Sequence, residues 1–268
     1  MKKEYDVIFV LLTYKNHLDL ISFFDSTKNI VNSTYKVVIV NSFYDTITSQ
    51  NIQKIANEFD SDFVEVENKG YGTGNNYGIN YAKNNYEFEY LVISNPDIII
   101  TKFDFLIIKS SSVDVVAPKI LTLKKKNQNP YYANKHNLLE YIYYISFKSK
   151  LKFLRYFPIV INKIERILLN LMPSNDKKQI YACHGSFFII NKNVFNKINN
   201  LFYEEMFLFA EENYIAKLFY NKKIKIFYLQ NIVVTHIEDG SIGKKTNTYG
   251  FRRESFIKYY EYWKKRGT

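Results

Sequence analysis

Asp6-Val7-Ile8-Phe9-Val10-Leu11-Leu12, running straight into Thr13-Tyr14-Lys15-Asn16, is the stretch whose reading decides the fold. A short unbroken apolar run with a polar stop suits a strand covered on both faces. Asn16–Ile30 then reads as a helix, with Leu18, Ile21 and Phe24 or Asp25 at helical spacing. The same unit recurs downstream. Tyr35–Val40 is the next buried strand, and Thr48–Phe59 a helix with Ile52, Ile55 and Phe59 on one face. Phe63–Val66 is a short strand, Gly72–Asn84 a helix opened by glycines, and Tyr90–Ser94 a strand ended by Asn95-Pro96. Strands alternating with helices predict βαβ units and a parallel sheet.

Past Ser94 the rhythm changes. Val113–Ala117 has strand character, and Leu123–Asn134 is a polar loop rich in Lys and Asn. Asn137–Phe147 and Ile159–Leu171 read as amphipathic helices, separated by Pro158 and stopped by Pro173. Leu138, Ile142 and Ile145 share a face of the first; Ile164, Leu168 and Leu171 share a face of the second. Ser186–Ile190, Ile224–Tyr228 and Ile232–Thr235 are short strands, and Glu211–Tyr220 is a helix with acids in its first turn. Tyr249–Lys265 is a last helix, basic and aromatic. With no internal repeat and no clear linker, the expectation is one α/β unit: a catalytic domain over 1–240, a helical insertion at about 123–173, and a C-terminal helix over 241–268.

Composition narrows the class. The 268 residues are 47% hydrophobic and 24% charged, which excludes wholesale disorder. Only 9 Gly and 5 Pro exclude a collagen-like or Pro-rich chain. The 24 Tyr and 22 Phe against 1 Trp fit either a binding role or an AT-rich genome. The single Cys183 forms no internal disulfide and no Cys/His zinc spacing, so a cytoplasmic setting is expected. Val7–Leu12 is too short for a signal sequence, and no stretch reaches the roughly 18 uncharged apolar residues of a membrane span. The chain is expected to be soluble or to lie on a membrane surface. A net charge of +11 admits nucleic acid, anionic lipid or a phosphate-bearing substrate as partner.

Ligands of an open parallel sheet bind beyond the carboxyl ends of its strands. Thr13-Tyr14-Lys15-Asn16, Asn41-Ser42, Asn68 to Gly78 and Asn95-Pro96-Asp97 are all polar, as a nucleotide pocket needs. The glycines at 70, 72, 74 and 78 give neither a dinucleotide fingerprint nor a P-loop. They allow close backbone approach to a ligand or, more simply, a tight turn capping a helix, and the Asn amides can read a base or a ribose. Asp97 at a strand end is a candidate ligand for a hard divalent metal. Glu211-Glu212, behind Phe207-Leu208-Phe209-Ala210, is a carboxylate pair in an apolar setting; either one member has a raised pKa suited to a general base, or both simply favour the helix dipole. His236, ending a strand before Glu238-Asp239-Gly240-Ser241, is a candidate metal or phosphate ligand or a plain surface His.

From Val7 to about Ser241 these segments resemble family 2 glycosyltransferases of the GT-A fold, particularly the rhamnosyltransferase-like and capsule or O-antigen branch. Asn68-Lys69-Gly70-Tyr71-Gly72-Thr73-Gly74-Asn75-Asn76-Tyr77-Gly78 is similar to the family's N-x-G-[FY]-[GA]-x-[GA]-N-N-x-G signature, the most specific match. Thr13-Tyr14 resembles the first nucleotide-contacting loop, and Asn41-Ser42 stands where the family usually has Asp-Asn. Ser94-Asn95-Pro96-Asp97 resembles the NPD form of the metal-binding motif, and Gly185 with Phe187–Ile190 the strand before the acceptor region. Phe207 to Glu212 is similar to the FLYxED motif, and His236 to a late histidine near the diphosphate. Asn41, Asn95 and Glu212 each replace the family's usual Asp, so either Glu211 or Glu212 remains open as the base, with Glu212 in the aligned position.

The resemblance implies an inverting, metal-dependent transfer of a sugar from a nucleotide-diphosphate donor. Its implied fold is a central, mostly parallel sheet flanked by helices. Its implied acceptor is a glycan, polyprenyl-diphosphate-linked, of a capsule or O-antigen repeat. Mn²⁺ or Mg²⁺ would sit at Asp97, with His236. The implied donor site holds Thr13, Tyr14, Asn41, Asn68, Gly70, Gly74, Asn75, Asn76, Asn95 and Gly185. Two other readings stand beside it. A nucleotidyltransferase would want an early Gly/Lys-rich phosphate loop. A nucleic-acid-binding protein explains the charge but not the ordered strand-end motifs, and no nucleic-acid module is present, so no nucleic-acid partner is expected. The last helix, with Arg252, Arg253, Lys258, Lys264, Lys265 and Arg266 among seven apolar and aromatic residues, is expected either to dock peripherally, by itself or together with the insertion, on the inner face of an anionic membrane or to pack its aromatics on the domain.

Overall fold

The computed structural model describes residues 2–171, 177–237 and 248–267. Asp6–Leu12 lies inside strand β1 (Lys3–Thr13), buried from Val7 onward. Its side chains alternate between two cores. Ile8, Val10 and Leu12 enter one and Val7, Phe9 and Leu11 the other, so the strand is covered on both faces. Helix α1 (Leu18–Ile30), strand β2 (Tyr35–Ser42), helix α2 (Thr46–Glu58), strand β3 (Asp62–Val66), helix α3 (Tyr71–Asn85) and strand β4 (Tyr86–Ser94) follow as the sequence predicts. The four strands pair in parallel in the order β3-β2-β1-β4. The buried face of α1 carries Leu20, Phe23, Phe24 and Thr27; Leu18 and Ile21, expected to face inward, are exposed.

Two of the motif glycines serve this half of the sheet. Gly74 and Gly78, one helical turn apart on α3, press it onto β1 and β2. A Cβ at Gly78 would come within 2.4 Å of Val10 Cγ1, and one at Gly74 within 2.4 Å of Leu12 Cδ1. What they permit is close approach of helix to sheet.

The second half of the sheet is mixed. It adds β5 (Ile98–Lys102), β6 (Val115–Thr122), β7 (Lys178–Ile180), β8 (Phe187–Asn191) and β9 (Ile226–His236). The full order is β3-β2-β1-β4-β8-β6-β9-β5, with β7 also on β9. β8 runs antiparallel to β4 and β6, and β6 runs parallel to β9. Ile224–Tyr228 and Ile232–Thr235, read as two strands, fall from Ile226 onward in the single strand β9. Its register against β6 jumps between Pro118↔Leu229 and Lys119↔Val233. Pro118 has no N–H to give the ladder, and a bulge takes up the difference. β5 and the helix α4 (Phe105–Ser111) were not legible: each is short and the pair follows Asn95-Pro96-Asp97 without a turn signal of its own.

The insertion opens with an irregular loop and continues as helix α5 (Asn137–Lys148), a 3-10 turn (Lys152–Arg155) and helix α6 (Tyr156–Leu171). Pro158 sits in the first turn of α6 rather than between helices, where a missing N–H costs nothing; Pro173 lies outside the described residues. α5 buries Tyr144, Ser146 and Phe147, not the face of Leu138. Helix α7 (Glu211–Asn221) carries the acid pair, and α8 (Thr248–Lys264) closes the chain. α8 buries Phe256, Tyr259 and Trp263 in the core shared with α5, and none of its aromatics is exposed. Tyr259 Oη donates to Glu140 of α5 at 2.7 Å, and Lys217 of α7 meets the same carboxylate at 3.2 Å. Of the two expectations for the last helix, this is the packing of its aromatics on the domain. The expected boundary at 240/241 lies outside the described residues, and among these no helix is long and apolar enough to cross a membrane.

Candidate active site

The carboxyl ends of β1 and β4 open into a cleft of about 1010 Å³, closed on the far side by the insertion loop, the start of α7 and α8. Of the strand-end residues, Tyr14, Asn68, Gly70, Asn95 and Asp97 line it, joined by Gly185, Glu211, Glu212 and His236. Residues expected from far-apart motifs thus share one cavity.

Thr13, Asn41, Gly74, Asn75 and Asn76 do not line it, and their side chains serve the fold. Thr13 Oγ1 donates to the Asn16 carbonyl at 3.2 Å, and Asn41 Nδ2 to Glu65 Oε2 at 3.1 Å. Asn75 Nδ2 donates to the Tyr71 carbonyl within α3. Asn76 fastens α3 to the segment before α7: its Nδ2 donates to the Phe202 carbonyl at 2.9 Å, and its Oδ1 accepts from Phe202 N–H at 3.1 Å. Nucleotide contact was expected of these five; they lie behind the cleft lining, and of them Asn75 and Asn76 hold the helix that follows the Gly70 loop.

That loop is held tightly. Gly70 has φ +107°, a backbone that L side chains rarely adopt, and a Cβ there would lie 2.5 Å from the Phe207 carbonyl oxygen. The next N–H, of Tyr71, donates to that carbonyl at 2.8 Å. The chain then turns through Phe209 and Ala210, both left-handed at φ 73° and 67°. Two consecutive non-glycine residues in this region store strain of the kind that collects at functional sites. The turn places Glu211 and Glu212 in the first turn of α7, where the helix dipole favours negative charge.

The two glutamates differ. Glu211 is only 5% exposed and its Oε1 has no hydrogen-bond partner. Burial, reinforced by the neighbouring Glu212, pushes its pKa up to about 8. Glu212 is partly exposed to the cleft. Burial raises its pKa too, but its own and Gly185's N–H groups and the Arg252 charge oppose the rise. Gly185 N–H lies 3.3 Å from Glu212 Oε1. Burial thus holds Glu211 toward its protonated form, and Glu212 is the member that reaches the cleft.

Across the cleft, Asp97 is 4% exposed, and its Oδ2 lies 3.2 Å from His236 Nε2. His236 Nδ1 is 2.9 Å from Gln128 Oε1, an acceptor, so Nδ1 carries the ring proton in the neutral form. Nε2 then turns a lone pair toward a carboxylate, an arrangement that needs a proton or a cation between them. The donors suit Mn²⁺ or Mg²⁺: one carboxylate and one imidazole oriented from behind, with the remaining positions left to substrate oxygens. Among the described residues no three His, Cys, Asp or Glu side chains cluster to hold a metal by themselves.

Several cleft residues were not read from sequence. Tyr71 Oη lies 3.0 Å from both Asn95 Oδ1 and the Gly185 carbonyl, bridging β4 to the strand before α7. Burial, then the charges of Glu211 and Glu212, raises its pKa, so it remains a donor. It stands inside the glycine-rich motif, where its ring position could have flagged it. Tyr131, Tyr132, His184 and Arg252 also line the cleft. His184 Nδ1 accepts from Ser186 N–H at 3.2 Å, and burial first, then His236, lowers its pKa to about 3, so it is a neutral wall. Cys183 is buried beside it with its thiol pushed up to about 12, and is inert. No signal in the sequence marks this group.

Fold and cleft together define the class: the chain has the GT-A fold, a mixed α/β sheet flanked by helices with its site at the strand ends. Among solved structures it is similar to S. aureus TarS, at 15% identity and a TM-score of 0.58, covering 87% of this chain and 36% of that one. The TarS 1–349 fragment superposes at 14% identity and a TM-score of 0.55, covering 87% and 60%. The same fragment in complex with UDP gives 14%, 0.54, 86% and 60%. The chain thus spans a little over a third of that TarS chain and 60% of its fragment. No family model matches the sequence, and no curated protein does.

Proposed function

We propose that this chain is an inverting glycosyltransferase that moves a sugar from a nucleoside-diphosphate donor to a hydroxyl of a glycan. The observation that carries the reading is one cleft with two separate acidic sites. Asp97 faces His236 at the strand ends, and the Glu211–Glu212 pair holds a raised pKa on the opposite side. Similarity to a TarS structure that contains UDP supports a nucleotide in such a cleft.

In this reading the strand-end loops of Tyr14, Asn68, Gly70 and Asn95 receive the nucleotide. Asp97 and His236 would hold a divalent ion, which when bound supplies positive charge to the diphosphate. Glu212 orients the acceptor hydroxyl and takes its proton as the oxygen attacks the anomeric carbon. The bond from that carbon to the diphosphate oxygen breaks, and its electron pair leaves with the nucleoside diphosphate. One in-line displacement inverts the centre, and no protein nucleophile takes part. Glu211, buried and protonated, keeps a second negative charge away from Glu212 at the pH where the base must be ionised. Tyr131, Tyr132 and Phe251 offer rings to the acceptor. We place the acceptor on a polyprenyl diphosphate at the inner face of the cell membrane, as part of a capsule or O-antigen repeat, on the strength of the motif resemblance.

Incubation with a panel of nucleotide sugars, reading nucleoside diphosphate release with and without EDTA, tests the proposal. Metal-dependent release from one donor is expected. Release from none, with pyrophosphate formed instead from nucleoside triphosphates, would assign the cleft to nucleotidyl transfer.

A further inference from the structure

Helix α6 is amphipathic the wrong way round. Tyr156, Phe157, Val160, Ile164, Leu168 and Leu171 recur at the spacing that puts them on one side of a helix. They are all exposed, from 52% at Ile164 to 77% at Leu171. The opposite side is polar and faces the protein. Asn162 Nδ2 donates to the Tyr131 carbonyl at 3.0 Å, Arg166 donates to the Asn127 carbonyl at 2.7 Å, and Glu165 meets His136 Nε2 at 2.6 Å. A helix normally turns its apolar stripe to the core, and a contiguous apolar surface rimmed by charge marks an interaction site.

Charge decides what covers it. Lys150, Lys152, Arg155 and Lys163 fall between residues 149 and 164, with no acid among them; Lys148, just before, is paired with Glu261 at 3.3 Å. Lys150, Lys152 and Lys163 are exposed around the stripe, with exposed Leu151 and Phe153 leading into it. The one acid of α6, Glu165, is turned inward to His136. A second copy of this face would therefore bring cations and apolar side chains but no counter-charge. A layer of phosphate headgroups over hydrocarbon satisfies both.

We propose that α6, with the basic segment before it, lies in the surface of an anionic bilayer. Its inner side holds the Asn127–Tyr131 segment that forms one wall of the cleft, so docking would set the cleft beside the headgroups. The inference stands on the exposed face alone and is tested by binding, without reference to sugar transfer.

The experiment is flotation with vesicles of phosphatidylcholine alone or mixed with phosphatidylglycerol in equal parts, at low and high salt. Wild type should float with the mixed vesicles at low salt and stay down with phosphatidylcholine. Ile164→Glu/Leu168→Glu should reduce the vesicle-bound to free ratio at least about tenfold, and Lys150→Glu/Lys152→Glu by a similar factor. Lys264→Glu/Arg266→Glu, at and just past the end of α8, should float as wild type does. The α6 positions are more than half exposed, and thermal melts confirm that each variant folds. Absence of wild-type flotation, or α6 variants that float unchanged, overturns the proposal. So does a sedimentation result in which a wild-type dimer that does not float is dissociated by Ile164→Glu/Leu168→Glu, which gives the face to a second copy.

Discussion

The two walls of the cleft are built on different plans. One consists of the ends of parallel strands: Tyr14 after β1, Asn68 and Gly70 after β3, Asn95 and Asp97 after β4. Each follows a strand of the parallel ladder, so local sequence says where it sits, with Gly70 further pinned by the Phe207 carbonyl and Asp97 by His236. The other wall is assembled from Tyr131 and Tyr132 of the insertion loop, Glu211 and Glu212 of α7 and Arg252 of α8. Contacts between distant segments hold it. Asn162 binds Tyr131, and Asn129 accepts from His184 N–H at 2.7 Å and donates to the Pro118 carbonyl at 2.8 Å. The strand-end wall is thus a property of the sheet and the other a property of the assembled molecule; in the proposed function the first receives the nucleotide and the second the acceptor and the base.

The largest expected effect falls where the walls meet. Glu212→Gln should cut donor turnover about 10²–10⁴-fold in kcat while leaving nucleotide affinity within about twofold. If Glu211→Gln is dead and Glu212→Gln active, the buried acid is the base, and the division of roles within the pair is reversed.

Gly185→Ala should follow. A Cβ there would lie 3.1 Å from Glu212 Oε1, so the carboxylate must shift. A displaced base costs about 10–100-fold in kcat with nucleotide binding retained. Equal losses in kcat and in binding would mean that Gly185 belongs to the strand-end wall.

Gly78→Ala probes the sheet beneath that wall. Its Cβ would meet Val10 and Val40 at 2.4 and 2.7 Å, both on β-branched core side chains. Overpacking of this kind costs about 1–3 kcal/mol, read as a lowered midpoint in urea. An unchanged midpoint would return this glycine to the role of a ligand contact.

The smallest effect is on stability and depends on pH. The folded pKa of Glu211 is raised to about 8 from an ordinary 4.5, chiefly by burial. Between those values the folded state holds a proton that the unfolded state has released, so stability falls as pH rises through this window. Glu211→Gln removes the ionisation and should raise Tm by roughly 3–6 °C at pH 8, with the gain fading toward pH 4. Thermal melts across that range check the sign; a gain that grows at low pH contradicts it.

The same contrast explains what could be read in advance. The unbroken apolar run of β1 and the βα rhythm up to Ser94 are local patterns, and they gave the parallel half of the sheet and the place of Asp97. Glu211-Glu212 was visible as a pair, but its strained Phe209–Ala210 turn was not, because nothing in those residue types announces left-handed backbone. The glycine motif was found, yet Gly74 and Gly78 turned out to contact the sheet rather than a ligand, a distinction that depends on what lies opposite. α6 and α8 are both basic and rich in large apolar side chains, and sequence could not say which is covered. α8 is held inward by Phe256, Tyr259 and Trp263 and by the Glu140 carboxylate, which belongs to another helix; α6 is held by its polar side.

The claim that the strand-end wall alone binds the nucleotide is tested most directly by calorimetric titration of UDP, GDP and dTDP with Mn²⁺, into wild type, Asp97→Ala and Phe251→Ala. One nucleotide should bind wild type and Phe251→Ala within about twofold of each other, and Asp97→Ala at least about tenfold more weakly. Binding of none of the three to wild type, or an equal loss in both variants, would contradict the account.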